Sequence, residues 1–70
     1  MDPFVLTSEY IELYKLLKAV GICPSGGAAK EAVSQGLVLV DGRKETRKGC
    51  KIRAGQVVNV GSARIEVIKE

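Results

Sequence analysis

Apolar residues recur at helical spacing early in the chain, at Tyr10, Leu13, Leu17 and Val20, with Ile11, Tyr14 and Leu16 widening the stripe. Thr7-Ser8-Glu9 lies just upstream and offers hydroxyl caps and an acid for a first turn, so the pattern predicts a helix over roughly residues 8–20. Gly21 stands where a left-handed C-terminal cap is expected, and Ile22 is the apolar residue that closes such a cap. Cys23-Pro24 then imposes an extended link, because the residue before a proline avoids the helical region. Ser25 is a strong N-cap for a second helix that runs to about Gln35 and stops at Gly36. Ala29, Ala32 and Val33 form its narrow apolar face, while Gly27, Lys30 and Ser34 share another.

After Leu37 the period changes from helical to alternating. Leu37-Val38-Leu39-Val40 reads as a strand and Asp41-Gly42 as a tight hairpin turn. Ala54-Gly55 marks another turn, Gln56 to Val60 a strand, Gly61-Ser62 a second hairpin, and Ala63 to Ile68 a last strand with Ala63, Ile65 and Val67 on one face. Between the first two turns, a regular strand after Gly49 places Cys50 and Ile52 on one side and Lys51 and Arg53 on the other. The predicted architecture is α+β in the order α-α-β-β-β-β, two N-terminal helices packed on a small, mainly antiparallel sheet. Phe4 to Leu6 offers one further short strand at the N-terminus. With no internal repeat, linker or low-complexity tract, residues 1–70 are expected to form one domain.

Composition narrows the functional classes. Two cysteines and no histidine leave too few ligands for a tetrahedral structural zinc site. Met1 to Thr7 has no basic start and only a short apolar run, unlike a secretory signal, and no stretch is apolar enough for a membrane span. These features predict a cytoplasmic protein with reduced thiols and no membrane partner. The sequence has no paired carboxylates, no nucleophile with a base and no metal cluster, so an enzyme and a cofactor are not expected. The net charge of +3 is concentrated: Asp41 to Arg53 holds six Lys or Arg against two acids, a local +4, and the rest of the chain sums to −1.

From Leu13 to Val60 the chain resembles the S4 RNA-binding domain, a leucine-rich helix, a glycine, Ser-Arg, an alanine four after the serine, and then Gly-x-Val-x-Val-Asn-Gly. The matching residues are Leu13, Leu17, Gly21, Ser25, Ala29, Val33, Gly36, Val38, Val40 and Gly42, in one register without a gap, with Ala54-Gly55 at the later turn. The whole chain is similar to stand-alone bacterial S4 proteins. The resemblance implies that the second helix and the following hairpin form an L-shaped basic surface that docks structured RNA, ribosomal or transfer RNA; the ribosome is a candidate partner, and a monomer is expected. It assigns Lys30 to the family's basic position after the alanine. Two positions depart from the pattern. Gly26 replaces the usual arginine and removes a phosphate contact; Asp41 replaces the asparagine of the turn, a structurally conservative change that adds a negative charge.

The same surface is supported without the resemblance. A helix start presents unsatisfied N–H groups and a partial positive charge, and Ser25, Gly26 and Gly27 leave it unshielded beside Lys30. Arg43, Lys44, Arg47, Lys48, Lys51 and Arg53 extend the positive edge through the hairpin.

Competing readings remain open at this point. The charge run could be an ordinary solvated face, and Gly26 and Gly27 could relieve crowding between the helices. Ser25 to Lys30 lacks the first glycine and the Ser or Thr after lysine of a nucleotide-binding loop. Cys50 beside Lys48 and Lys51 is either a reactive thiol or, as its alternation with Ile52 favours, a buried inert one. Tyr10 and Tyr14 either stack bases or, the preferred reading, complete the apolar face of helix one. A protein-binding adaptor that uses the aliphatic hairpins is the alternative function. One consequence of the compartment reading is directly measurable: the mass of the protein alkylated without prior reduction should show two free thiols, and an unreactive protein two hydrogens lighter would contradict it.

Overall fold

A computed structural model describes residues 2–70. The chain runs β1 (Asp2–Leu6), β2 (Ile11–Glu12), α1 (Leu13–Ala19), α2 (Gly26–Ser34), β3 (Val38–Val40), β4 (Arg43–Lys44), β5 (Lys51–Ile52), β6 (Val57–Val60) and β7 (Ala63–Lys69). Five strands form one sheet in the order β1-β7-β6-β3-β4, parallel only between β1 and β7, and β2 and β5 form a separate antiparallel pair. This is the expected α+β architecture of two helices on a mainly antiparallel sheet. The expected order is corrected, because two strands precede the helices. Phe4 to Leu6 does lie in a strand, β1, which pairs with the last strand of the chain.

Both helices are shorter than a stable isolated helix, which needs ~12–15 residues, so packing must hold them. Leu13, Leu16 and Leu17 of α1 and Ala29 and Val33 of α2 are fully buried, and they meet the inward side chains of the sheet, Leu6, Val38, Val40, Val58, Ile65 and Val67. Strand alternation turns Val5, Leu39 and Glu66 outward.

The helix ends follow local rules. Gly21 has φ +80, its N–H donates to the Lys18 carbonyl and that of Ile22 to the Leu17 carbonyl, so α1 closes with the paired bonds of a Schellman cap. The same pair closes α2, from Gly36 to Val33 and from Leu37 to Ala32. Leu37 is thereby drawn into the cap, and the strand predicted from Leu37 starts at Val38. Likewise the strand predicted from Gln56 starts at Val57, because Gln56 closes the Ala54-Gly55 turn onto the Arg53 carbonyl. Ser25 caps α2 as expected, its Oγ accepting the Ala28 N–H at 3.1 Å.

The start of α1 does not follow the sequence pattern. The helix begins at Leu13, well after Thr7-Ser8-Glu9, and its N-cap Glu12 makes no side-chain capping bond. The Leu13 and Tyr14 N–H groups instead donate to the backbone carbonyls of Cys50 and Lys48, at 2.8 and 3.1 Å. Ile11 and Glu12 pair with Ile52 and Lys51, and Ser8 bonds the Tyr10 carbonyl through its hydroxyl. A distant backbone segment thus meets the free donors of this helix start and displaces the local cap.

The stretch between the first two turns is also divided. It is not one strand: Arg43–Lys44 extends the large sheet, Lys51–Ile52 belongs to the small one, and residues 45–50 loop between them. Two carboxylates hold this region. Asp41, at φ +52 beside Gly42 at φ +84, makes the two-residue turn with both central residues left-handed that suits the twist of a hairpin. One of its oxygens accepts the Val57 N–H at 2.9 Å and the other the Gln56 side-chain N–H at 3.0 Å, while Gln56 accepts the Arg53 N–H through its own oxygen. Asparagine would set its NH2 against one of these donors, and rotating the Gln56 amide to compensate would break its bond to Arg53. The aspartate is therefore more than a conservative replacement; it ties the hairpin to the start of β6.

Glu45 is the second carboxylate. Arg47 grips it with two guanidinium bonds, at 2.9 and 3.1 Å, and a backbone N–H bond at 2.9 Å. The Arg47 hydrogen bonds hold the Glu45 pKa down to about 2, and the backbone bond from Val57, with that of Gln56, lowers that of Asp41. For a carboxylate with a depressed folded-state value, the stabilisation is present above its unfolded value, about 4, and is lost as the pH falls through the folded value. The melting temperature should therefore drop between about pH 5 and about pH 2. Asp41→Asn with Glu45→Gln should melt lower at neutral pH and show a flatter acid limb in melts followed by circular dichroism; an unchanged acid limb would show that other carboxylates control it.

Candidate nucleic-acid interface

At the start of α2, Ser25 uses its oxygen as a cap, and the N–H groups of Gly26 and Gly27 precede the first intrahelical bonds. A Cβ built on Gly26 would have nothing within 4 Å, and one on Gly27 only the Ser25 Oγ at 3.9 Å. The crowding explanation for these glycines is removed, since helix one does not press on them. The space they leave is open to the outside. One turn on, the Lys30 ammonium lies 4.8 Å from the centre of the Tyr14 ring on α1, with the Lys15 ammonium at 5.9 Å. Tyr14 is half-buried against the core, as the apolar reading expected.

The segment that caps α1 carries the next group. The Cys50 N–H closes a turn onto the Arg47 carbonyl, so the backbone that presents Lys48 also fixes the first turn of α1. Lys51 and Arg53 flank Ile52, which is fully buried, and both point to solvent as alternation predicted. Their charged groups lie 5.0 and 5.8 Å from the centre of the Tyr10 ring. Tyr10 corrects the second half of the tyrosine reading: it lies outside the helix and is 38% exposed, so it does not complete an apolar face. At exposed sites each such cation–ring contact contributes ~0.5–1 kcal/mol, enough to bias the side chains without locking them.

The remaining pair is set apart. Arg43 and Lys44 lie on the edge strand β4, and the Lys44 stem passes over Gly36, its Cδ 3.1 Å from where a Cβ on that glycine would stand. That is the C-terminal end of α2, where a cation suits the helix dipole, and a nine-residue helix of ~13 Å separates it from Ser25. The ten residues singled out in the sequence thus fall into three groups. Ser25, Gly26, Gly27 and Lys30 stand at the start of α2, and Arg47, Lys48, Lys51 and Arg53 gather around the start of α1. Arg43 and Lys44 lie at the sheet edge. Tyr14 joins the first two groups, through its ring to Lys30 and its N–H to the Lys48 carbonyl.

Lys15 and Tyr10 are the neighbours that sequence reasoning left out of the site. Lys15 was legible only as a charge on a helix and pairs with Glu12 at 3.0 Å. Tyr10 was hidden by the wrong helix start. Cys50 is half-buried, not fully buried as alternation with Ile52 suggested, and burial with the nearby Glu45 carboxylate raises its pKa against the opposing Arg47, which favours the less reactive reading. Among the described residues, no group of three or more His, Cys, Asp or Glu could hold a metal, and no helix is long and apolar enough to cross a membrane.

Comparison with known proteins places this geometry in a family. The family model described as S4 domain matches residues 4–68. Over 59 residues the chain is 48% identical to the putative RNA-binding protein YbcJ of Escherichia coli (strain K12), covering 84% of each chain. It is 36% identical to the probable ribosome maturation protein RlbA of Bacillus subtilis (strain 168), covering 84% of this chain and 83% of that one. A tyrosine–tRNA ligase of Ralstonia nicotianae matches at 40% identity, but across only 15% of its own length. The solution structure of Escherichia coli YbcJ, described as revealing an αL motif involved in RNA binding, superposes with a TM-score of 0.76 at 45% identity, over 97% of this chain and 87% of that one. With the S4 domain match across nearly the whole chain and this superposition beside it, the chain belongs to the S4 domain family.

Proposed function

We propose that this protein binds structured RNA without catalysing a reaction, through the start of α2 and the segment from Arg47 to Arg53. One observation carries the reading: capping of α1 by the Lys48 and Cys50 carbonyls fixes the segment whose Lys51 and Arg53 lie over Tyr10, at the same helix start where Lys30 of α2 lies over Tyr14. A run of charge on a free loop would be a solvated face; here three cations are held on tyrosine rings near one helix start, with the backbone of Lys48 fixed beside them, a shape that a phosphate backbone fits. Arg47 contributes less free charge, since Glu45 grips it. Arg43 and Lys44 are placed to reach a second stretch of a longer RNA.

The RNA-binding descriptions of YbcJ support this reading, and the ribosome maturation description of RlbA supports ribosomal RNA as the target, in the cytoplasm and during ribosome assembly. The match within a tyrosine–tRNA ligase keeps transfer RNA as the other candidate. The adaptor alternative has a surface of its own. Val5 and Ile68 are exposed neighbours on the outer sheet face, but Asn59 and Arg64 follow Leu39 across that face and interrupt the apolar patch.

Salt dependence separates the two. For about four contacted phosphates, log affinity against log salt should have a slope of about −3 to −4, and an apolar interface should show a slope near zero. Lys48→Gln, Lys51→Gln and Arg53→Gln together should flatten the slope by about 2 to 3 and abolish binding at physiological salt. Glu66→Lys on the outer sheet face, a control for net charge, should change affinity little. Full binding by the triple variant would place the interface elsewhere.

Gly26 gives a gain-of-function arm. The open space there lets Gly26→Arg fold without displacing a neighbour, and arginine is intrinsically a better helix former than glycine by up to ~1 kcal/mol. Its RNA affinity should rise and the salt slope steepen by about 0.7–0.9, one added phosphate contact. Unchanged binding by this folded variant would remove the start of α2 from the interface.

A further inference from the structure

Tyr10 has no structural duty that explains its position. It lies outside the buried cluster and outside the helix, yet its placement is controlled: the Ser8 hydroxyl bonds its carbonyl at 3.0 Å, and the next residue, Ile11, pairs with the fully buried Ile52. Beside the ring is an open hollow of about 460 Å3 lined by Ser8, Glu9, Tyr10, Ile11, Glu12 and Lys15. Lys51 and Arg53 flank the same ring. An exposed aromatic with cations on it and a hollow beside it combines the two parts of a nucleotide site, a stacking surface and phosphate contacts.

The charges decide which part of a nucleotide goes where. Glu9 and Glu12 line the hollow, so a phosphate is repelled from it and belongs on the Lys51 and Arg53 side. What enters the hollow must be the base. Among the described residues Glu9 has no ion-pair partner, whereas Glu12 is held by Lys15. A free carboxylate accepts two parallel N–H bonds, and of the four bases guanine alone presents two adjacent donors, N1–H and the N2 amino group, on its pairing edge. The intramolecular contacts do not prevent this. A surface cation–ring contact favours its own geometry by a factor of only about 2–5, against about 5–150 for a base stacked on an aromatic ring.

We propose that Tyr10 is the platform for one unpaired base of the bound RNA, that Glu9 selects guanine there, and that Lys51 and Arg53 take the adjoining phosphate. This rests on the RNA-binding reading and sharpens it: the target carries an extruded nucleotide and is not a continuous duplex at this point.

The test uses three hairpin RNAs with one common stem: uninterrupted, with a single bulged guanosine, and with a single bulged adenosine. The protein should bind the bulged guanosine hairpin at least about fivefold tighter than the uninterrupted one, and tighter than the adenosine one. Tyr10→Ala should erase the advantage of the bulge while leaving the salt slope and the circular dichroism spectrum unchanged, and Tyr10→Phe should restore it. Glu9→Gln should remove the preference for guanosine over adenosine and keep that for a bulge. Tyr14→Phe leaves Tyr10 as the single tyrosine in a chain without tryptophan, and its fluorescence should be quenched by the bulged hairpin and not by the uninterrupted one. Equal, salt-dependent binding of all three hairpins, unaffected by Tyr10→Ala, would overturn the platform and leave the phosphate-binding reading in place. No binding of any hairpin at low salt would overturn both.

Discussion

The arrangement of the site depends on one exchange of hydrogen bonds: the first two free N–H groups of α1 are met by the carbonyls of Cys50 and Lys48. A helix start without a side-chain cap leaves donors that must find partners, and here they find them in a loop remote in the chain. The two-residue pairing of β2 with β5 continues the same contact. Remove it and three things lose their position at once: the start of the helix, the basic residues around Cys50, and Tyr10. The positive segment is thus part of the helix it accompanies and not an appendage, and binding charge and folding geometry share one set of bonds.

The charge pattern has a similar economy. Asp41 and Glu45 are the two acids inside the positive segment, and both are spent on backbone and guanidinium donors that shape it. Their pKa values are lowered because those donors favour the charged form, and their negative charge is held where it organises the loop. The lysines and Arg53 are left with solvent or a tyrosine ring as their neighbours. Contacts of that strength orient a cation without neutralising it, which suits a surface that must exchange water and counterions for phosphates.

Such a small core leaves little stability to spare, so its helices lean on well-formed ends. Both close with the same paired C-terminal bonds, and α2 opens on the Ser25 oxygen. The glycines after Ser25 forgo helix stability, and no neighbour in the protein occupies the space they leave. A backbone kept bare at a helix start admits close approach by a phosphate.

The sequence by itself determined what is decided within a few residues. The caps at Gly21, Ser25 and Gly36, the hairpin at Asp41-Gly42 and the alternation along β3, β6 and β7 are set by bonds reaching no more than one turn or one rung, and the residue types there suffice to specify them. The family register, and with it the basic character of the surface, was legible for the same reason. Tertiary structure decided the rest. That β1 lies beside β7, and that Ile11 meets Ile52 about forty positions away, are pairings that no local pattern encodes. Tyr10 to Val20 has helical spacing, but spacing alone cannot say where a helix starts when a remote carbonyl competes with Thr7 and Ser8 for its first donors. For that reason Tyr10 emerged as an exposed ring beside two cations, and the single basic stretch read along the chain became two separate groups in space.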